Sequence, residues 1–179
     1  VDVTVDSDAG TAGIQAISAL QANSIAKLTN GVVTAVVDGS AATLNALLKD
    51  AKSTDKLTLT VSAGTVAASD LKALDAKTSV AVDADAAGIT ITGNAADVKT
   101  VLAADGITTN ANVAVTVTGT VSAADANTIT GATAGNVTAT VAAGTAASLN
   151  TALANAVATD ALTLTVNGAT ATAIALNEL

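Results

Sequence analysis

The sequence predicts an α/β fold, a repeat solenoid with one strand and one short helix per coil, and an all-β parallel β-helix is the alternative. Three observations lead to it. Some segments alternate apolar and polar residues, Ala-rich segments between them have apolar residues three or four positions apart, and most successive strands are roughly 22 to 33 residues apart. This spacing is too short for two packed helices and fits one strand plus one helix.

Eight segments alternate as half-buried strands do, with successive side chains on opposite faces. In residues 57–61, Leu and Val occupy one face and Thr occupies the other. A parallel sheet covered by helices on both faces would be apolar throughout, so the alternation predicts helices on one face and a Thr-rich exposed face on the other. The predicted strands are residues 1–5, 33–37, 57–61, 79–82, 89–92, 113–118, 137–141 and 162–166.

Short helices are predicted between these strands, because apolar residues three and four positions apart share one helix face. The positions are Ile14, Ile17 and Leu20, then Leu44, Leu47 and Leu48, then Leu71 and Leu74, then Val98, Val101 and Leu102, and finally Leu149 and Leu153. Side-chain oxygens stand near the helix starts, where they can accept a free backbone N–H. The predicted N-caps are Ser40, Ser69, Asn94 and Thr145.

One long repeat occurs almost twice. Ala22 aligns with Ala126, 104 positions on, and after a one-residue slip residues 57–61 recur identically as 162–166. Residues 1–5 align with 113–117, and the first copy carries about eight extra residues around Asp6 to Gly13. We therefore predict a first long repeat at 1–112 and a truncated second one at 113–179, taken from a longer array.

Absent residue types restrict the chemistry. The chain has no Phe, Tyr, Trp, Pro, Cys, Met, His or Arg, which excludes ordinary zinc sites, Ser-His-Asp and Cys-His nucleophiles, and haem ligation. We expect no enzymatic activity and no small-molecule substrate. A net charge of −8 and the lack of aromatic residues argue against nucleic acid, and no apolar run is long enough to predict a membrane span.

Acidic residues near two strand ends are the candidate metal ligands. Asp6 and Asp8 follow the first strand, and Asp83 and Asp85 follow the fourth. Calcium prefers carboxylate oxygens, but neither EF-hand spacing nor a glycine-rich calcium nonapeptide is present. We interpret these residues as solvated turn carboxylates and expect no cofactor, with calcium binding as the alternative.

A ladder of exposed Thr residues is the candidate binding surface. If the strands are in register, regularly spaced Thr pairs could order water and bind ice, although Thr is also favoured in any half-exposed sheet. Val36, Ala81 and Asp83 interrupt the pattern. The ladder residues are Thr58, Thr60, Thr90, Thr92, Thr116, Thr118, Thr138, Thr140, Thr163 and Thr165.

Runs such as Leu-Thr-Leu-Thr-Val, Asn-Thr-Ile-Thr-Gly-Ala-Thr and Val-Thr-Ala-Thr-Val resemble those of very large bacterial extracellular proteins built of tandem Ala/Thr/Val-rich β-strand repeats, either adhesin-like or surface-layer-like. The resemblance implies secretion, a place at the cell surface or in an extracellular layer or filament, and often calcium-dependent rigidity. We expect a structural segment that acts as scaffold or spacer and self-associates with neighbouring repeats or subunits. A calcium-dependent adhesion module and an ice-binding protein are the alternatives.

Overall fold

A computed structural model describes residues 1–5 and 16–168. Within these residues the fold is α/β, with two parallel five-stranded sheets and six helices. The strands are β1 (Val3–Thr4), β2 (Val33–Gly39), β3 (Lys56–Val61), β4 (Gly64–Ala67), β5 (Val82–Ala84), β6 (Ile89–Gly93), β7 (Ile107–Thr109), β8 (Ala114–Val121), β9 (Val137–Val141) and β10 (Ala161–Thr163). The helices are α1 (Ala19–Leu28), α2 (Ala41–Leu47), α3 (Ala68–Asp75), α4 (Ala95–Leu102), α5 (Ala123–Ala132) and α6 (Ala146–Ala152).

Each helix follows the strand or strands that lead into it, and we number these strand–helix units in chain order. Unit 1 begins with β1, unit 2 with β2, unit 3 with β3, unit 4 with β5, unit 5 with β7, unit 6 with β9 and unit 7 with β10. The first sheet has the order β1-β2-β3-β5-β7, and the second sheet the order β4-β6-β8-β9-β10. Neighbouring strands therefore come from consecutive units.

The two-sheet arrangement differs from the predicted single sheet with one strand per unit. Units 3, 4 and 5 each contribute one strand to each sheet, whereas units 1 and 2 contribute to the first sheet and units 6 and 7 to the second. The extra strands β4 and β7 are only four and three residues long, too short to show a clear alternation in the sequence. Helix α5 was also not predicted, because its N-terminal half is Ala, Asp and Asn rather than Leu or Val.

The alternating pattern does correspond to burial. Leu57, Leu59 and Val61 are at most 1% exposed, while Thr58 between them is exposed. The inward residues of both sheets and the apolar helix residues form one core cluster. Its largest fully buried side chains are Leu, Ile and Val, and Ala22 and Ala126 let helices approach the sheet closely. The core among the described residues is thus built from Leu, Ile, Val and Ala side chains.

The helices stack in chain order. Among the described residues, each helix packs against the helices before and after it, and no helices further apart make extensive contact. Ser40, Asn94 and Thr145 cap their helices as predicted. Ser69 does not, because β4 runs directly into α3 and the N-cap position falls on Ala67, which has no capping side chain.

The extra residues of the first copy interrupt the pairing of unit 1 with β2. Val5 N–H donates to Thr34 O and Ile17 N–H to Val36 O, so a two-residue step on β2 spans twelve residues of unit 1. The matching position of β8 carries a smaller irregularity, between Thr116 and Thr120, that includes Gly119 at φ 76°. The two copies therefore depart from regular strand pairing at the same point of the repeat.

The fourth predicted strand, residues 79–82, is displaced to Val82–Ala84. Thr78 accounts for the shift, because its hydroxyl accepts the N–H groups of Leu57 and Val80 and donates to Leu57 O. These bonds hold residues 78–80 in a turn before β5 begins at Val82. The side chain is only 5% exposed, so the turn is anchored inside the fold.

Candidate functional site

The Thr ladder is divided between the two sheets. Thr58 and Thr60 lie in the first sheet, where Thr60 stands between Asp38 and Asp83. The ladder residues of units 4 to 7 that lie in named strands belong to the second sheet. The predicted ladder is therefore not one continuous surface, because the chain shifts from one sheet to the other between units 3 and 5.

Within the second sheet, two rows of Thr are in register. Thr92, Thr116 and Thr138 are consecutive Cα partners on β6, β8 and β9. A second row consists of Thr120, Thr140 and Thr163, all exposed. Thr90 pairs with Thr65 on β4 and so extends the surface on one side.

Two ladder residues fall out of register. The β8 bulge removes Thr118 from the position opposite Thr140 and puts Thr120 there. Thr165 follows β10, and its carbonyl accepts the Gly144 N–H. The sequence pattern Thr-x-Thr suggested equal spacing on every strand, and the bulge at Gly119 is what it could not show.

The acidic candidates are not brought together. Asp6 and Asp8 lie outside the described residues. Asp83 is half-buried on β5 and its Oδ1 accepts the Asp85 N–H at 3.1 Å, a local turn bond. In residues 1–5 and 16–168, no group of three or more acidic side chains has the arrangement of a metal site.

Asp55 joins units 2 and 3. Its side chain is 1% exposed, and its two carboxylate oxygens accept the N–H groups of Val33, at 2.9 Å, and Lys52, at 2.8 Å. Asp160 makes the same two bonds in the second copy, to Val137 N–H at 2.9 Å and Val157 N–H at 3.0 Å. Each carboxylate holds the start of the preceding strand against the turn that leads into its own strand.

Thr hydroxyls form a second repeated joint. Thr133 Oγ1 accepts the Gly135 N–H and donates to Val113 O at 2.7 Å. Thr29 does the same with Gly31 N–H and Val1 O. The glycine in each joint is required by close approach of the backbones, since a Cβ at either glycine would lie 2.3 Å from a carbonyl oxygen of the neighbouring strand segment.

Polar side chains link successive helices across one face of the stack. The fifth residue after the N-cap of one helix bonds to the third residue after the N-cap of the next in three cases: Asn45 to Asp70, Lys72 to Asp97 and Lys99 to Asp125. Near the two ends, the same fifth-residue position bonds to the turn after the next helix instead. There Asn23 pairs with Asp50, and Asn127 with Asn155.

These links lower the pKa of two carboxyl groups. The Lys72 ammonium and then the Asn94 amide bond to Asp97 and hold its pKa below the ordinary 3.8. Lys99 and then Ser122 do the same for the pKa of Asp125. Both aspartates lie in the first turn of a helix, where the N-terminal end of the helix dipole also favours negative charge.

These joints were not among the sites predicted from the sequence. The repeated pairs Thr54-Asp55 and Thr159-Asp160 were visible in the alignment of the two copies, and a polar residue identical in both copies before an apolar strand was the available signal. The helix links had no such signal, because Lys72 and Lys99 occupy the position that is Asn in other helices.

The two ends of the stack expose apolar surface. Shallow grooves in unit 1 are lined by Val5, Ile17 and Leu20 and by Val1, Val3 and Leu28, with Ile25 shared between them. The groove at the other end, between α6 and β10, is lined by the polar residues Asn150 and Asp160 as well as by Val157, Leu162 and Leu164, and the nearby Leu153 is itself buried.

Comparisons of the chain with protein-family models, with curated proteins and with solved structures found no match. In the part of the chain that the structure describes, no helix has the length and apolar character that crossing a bilayer requires.

Proposed function

We propose that this chain is a load-bearing or spacing segment of an extracellular structural protein, built as an open solenoid of strand–helix coils that associates with neighbouring repeats or subunits. The observation that carries the proposal is the order of contacts: strands pair, and helices pack, between consecutive units. Such a stack is extended by adding units without rearranging those already present.

The repeated joints support a structural role. Both copies keep the carboxylate bonds of Asp55 and Asp160 and the threonine bonds of Thr29 and Thr133, all of which connect one unit to the next. The surface charges differ between copies, because all seven Lys residues lie between Lys27 and Lys99. The two copies thus share the hydrogen bonds that connect one unit to the next, but not their surface charges.

Placement at the cell surface or in an extracellular layer or filament rests on the resemblance of the Ala/Thr/Val-rich strands to extracellular repeat proteins. Antibody raised against the chain should label intact cells of the producing organism, or material shed from them. Labelling that requires lysis of the cells would contradict this placement.

Hydrogen exchange tests the solenoid. Leu71→Ala removes a fully buried side chain of α3 and should cost about 2–5 kcal/mol locally. In a stack of nearest neighbours, amide protection should fall most in units 2, 3 and 4 and least in units 6 and 7. Leu47→Ala on α2 is the matched control, because Leu47 is 37% exposed. An equal loss of protection in all units would contradict the proposal.

The two in-register Thr rows favour ice binding as a second candidate function. If it is correct, Thr116→Tyr or Thr138→Tyr should abolish thermal hysteresis, since each side chain projects from the second sheet. Thr58→Tyr, in the first sheet, is the control and should leave it unchanged. Absence of thermal hysteresis in the unmodified chain would end this alternative.

A further inference from the structure

Two Asn-Gly pairs occur in the chain, Asn30-Gly31 and Asn167-Gly168. An asparagine followed by glycine is prone to spontaneous loss of its amide, because glycine has no side chain to shield its backbone nitrogen from the neighbouring carboxamide. The two pairs have the same sequence but lie in different surroundings, so the structure separates their reactivity.

The chemistry uses the backbone nitrogen of the glycine as the nucleophile. This nitrogen loses its proton to the solvent and bonds to Cγ of the asparagine, the bond from Cγ to Nδ2 breaks, and ammonia leaves. Water then opens the cyclic imide at one of its two carbonyl groups and leaves either aspartate or its β-linked isomer. The overall change is one water taken up and one ammonia released. The reaction therefore needs a glycine N–H that is free and space for the carboxamide to approach it.

The first pair does not meet these requirements. The Gly31 N–H donates to Thr29 Oγ1 at 3.0 Å, so its nitrogen is held in the threonine joint of unit 1. The backbone of the neighbouring strand segment is also close, since a Cβ on Gly31 would lie 2.3 Å from Val1 O. Asn30 itself is exposed, so the protection comes from the surroundings of the glycine.

The second pair lies in open surroundings. Asn167 and Gly168 are both exposed, and a Cβ on Gly168, where φ is 123°, would meet no atom within 4 Å. The Asn167 N–H donates to Gly144 O at 2.8 Å and fixes this residue against unit 6, but that nitrogen takes no part in the reaction. Space for attack on the Asn167 carboxamide is thus present.

The first copy shows that this exposure persists inside a stack. Ser62 and Ala63 align with Asn167 and Gly168, and the Ser62 N–H donates to Gly39 O at 2.9 Å as the Asn167 N–H does to Gly144 O. Unit 4 follows Ser62 and Ala63 in the stack, yet both residues are exposed. A further unit after unit 7 would therefore leave the equivalent surface accessible.

We propose that Asn167 is a site of spontaneous deamidation and that the Thr29 joint protects Asn30 from the same reaction. The product carries a carboxylate where the carboxamide was. In the described residues of units 6 and 7 the ionisable side chain is Asp160, so this end of the chain gains a second negative charge with time. The inference stands apart from the proposed function, because it depends on local structure alone.

Mass spectrometry of the aged whole chain tests the proposal. The chain is incubated at mildly alkaline pH, which favours loss of the glycine N–H proton, and is then cleaved after lysine. Residues 28–49 then carry Asn30 and residues 100–179 carry Asn167, so tandem spectra assign each conversion. Conversion at residue 167 should be about tenfold faster than at residue 30, as expected if one hydrogen bond must break first at Gly31.

Unfolding in urea gives the reference rates, because both pairs then have the same open surroundings and should convert at similar rates. Equal rates at residues 30 and 167 in the folded chain would overturn the proposal. A folded chain that keeps Asn167 intact while the urea-unfolded chain loses its amide would overturn it as well.

A pair of variants tests the protection of Asn30. Thr29→Val removes the acceptor of the Gly31 N–H and should speed conversion at residue 30 severalfold. Thr133→Val is the matched control, because it removes the same joint before Gly135 in the second copy, where the preceding residue is Ala. It should leave both conversion rates unchanged. An unchanged rate at residue 30 in Thr29→Val would show that the joint does not protect Asn30.

Discussion

Replacing Asp55 by Ala tests the carboxylate joint between units 2 and 3. The change removes the acceptors of two backbone N–H groups, those of Val33 and Lys52. Val33 is 0% exposed, so water cannot replace the carboxylate at its N–H. At about 1.5–3 kcal/mol for each bond to a charged acceptor, the two bonds are worth about 3–6 kcal/mol, from which the cost of burying the carboxylate itself is subtracted. We expect a net loss of about 3 kcal/mol.

Asp160→Ala is the internal comparison. It removes the same two bonds in the second copy, but Asp160 is half-buried and solvent can reach the freed N–H groups. Asp160→Ala should therefore lower the free energy of unfolding by only about 1–2 kcal/mol. The difference between the two losses in unfolding free energy measures the effect of burial, because both aspartates make the same two bonds.

Urea unfolding followed by far-ultraviolet circular dichroism measures both values, since the chain has no aromatic residue to give fluorescence. Hydrogen exchange of Val33 should show the same local loss of protection in Asp55→Ala. A loss below about 1 kcal/mol for Asp55→Ala, or a larger loss for Asp160→Ala, would refute the reasoning that buried joints stabilise the stack.

Three further predictions concern pH, a glycine and calcium. Because the pKa values of Asp97 and Asp125 are lowered in the folded state, both carboxylates add stability at pH values above the ordinary pKa of 3.8, and this stability is lost as the pH falls through the folded-state pKa values. Acid should therefore lower the Tm less in a variant in which both aspartates are replaced by Asn. Equal acid sensitivity of the two proteins would contradict this prediction. Gly135→Ala should lower the free energy of unfolding in urea by roughly 1–3 kcal/mol, because its Cβ would lie 2.3 Å from Asn112 O. Gly131→Ala in α5 is the control and should leave the free energy of unfolding unchanged, because its Cβ would meet only a movable Asn side chain. Similar losses in the two variants would refute the close-approach argument. Millimolar calcium should leave the Tm unchanged, and a marked rise would support the adhesion-module alternative.

Periodicity predicted the α/β class and most elements because every inward strand position has to be apolar. Leu57 and Leu59 show this directly, since both are buried and the Thr between them is exposed. The division into two sheets was not predictable in this way, because inward and outward residues alternate identically in either sheet. The shift occurs at short segments such as β4 and β7, where pairing with the neighbouring unit sets the conformation.

The candidate surfaces were predicted less completely. Alternation predicts which way a Thr side chain faces, and Thr92, Thr116 and Thr138 are consecutive Cα partners in the second sheet, but register depends on bulges. The irregularity at Gly119 changes which Thr stands opposite Thr140; an isolated Gly within a strand is a local signal of a bulge, but alternation alone does not give the size of the shift. The joints at Asp55 and Asp160 depend on distant backbone N–H groups, which only the assembled fold brings into reach.

The units follow one another in chain order and contact mainly their neighbours, and pulling the chain from its two ends measures whether they unfold separately. Register places units 2 and 3 at a spacing of 22 residues, from Thr34 to Lys56, and units 4 and 5 at 25, from Val82 to Ile107, whereas units 1 and 2 are 30 residues apart, from Val3 to Val33. Unfolding one unit at a time should release steps of roughly 75–100 Å of contour length, at about 3.4 Å per residue. We expect a series of such steps beginning at an end of the stack. Release of the whole folded length in a single step would contradict it.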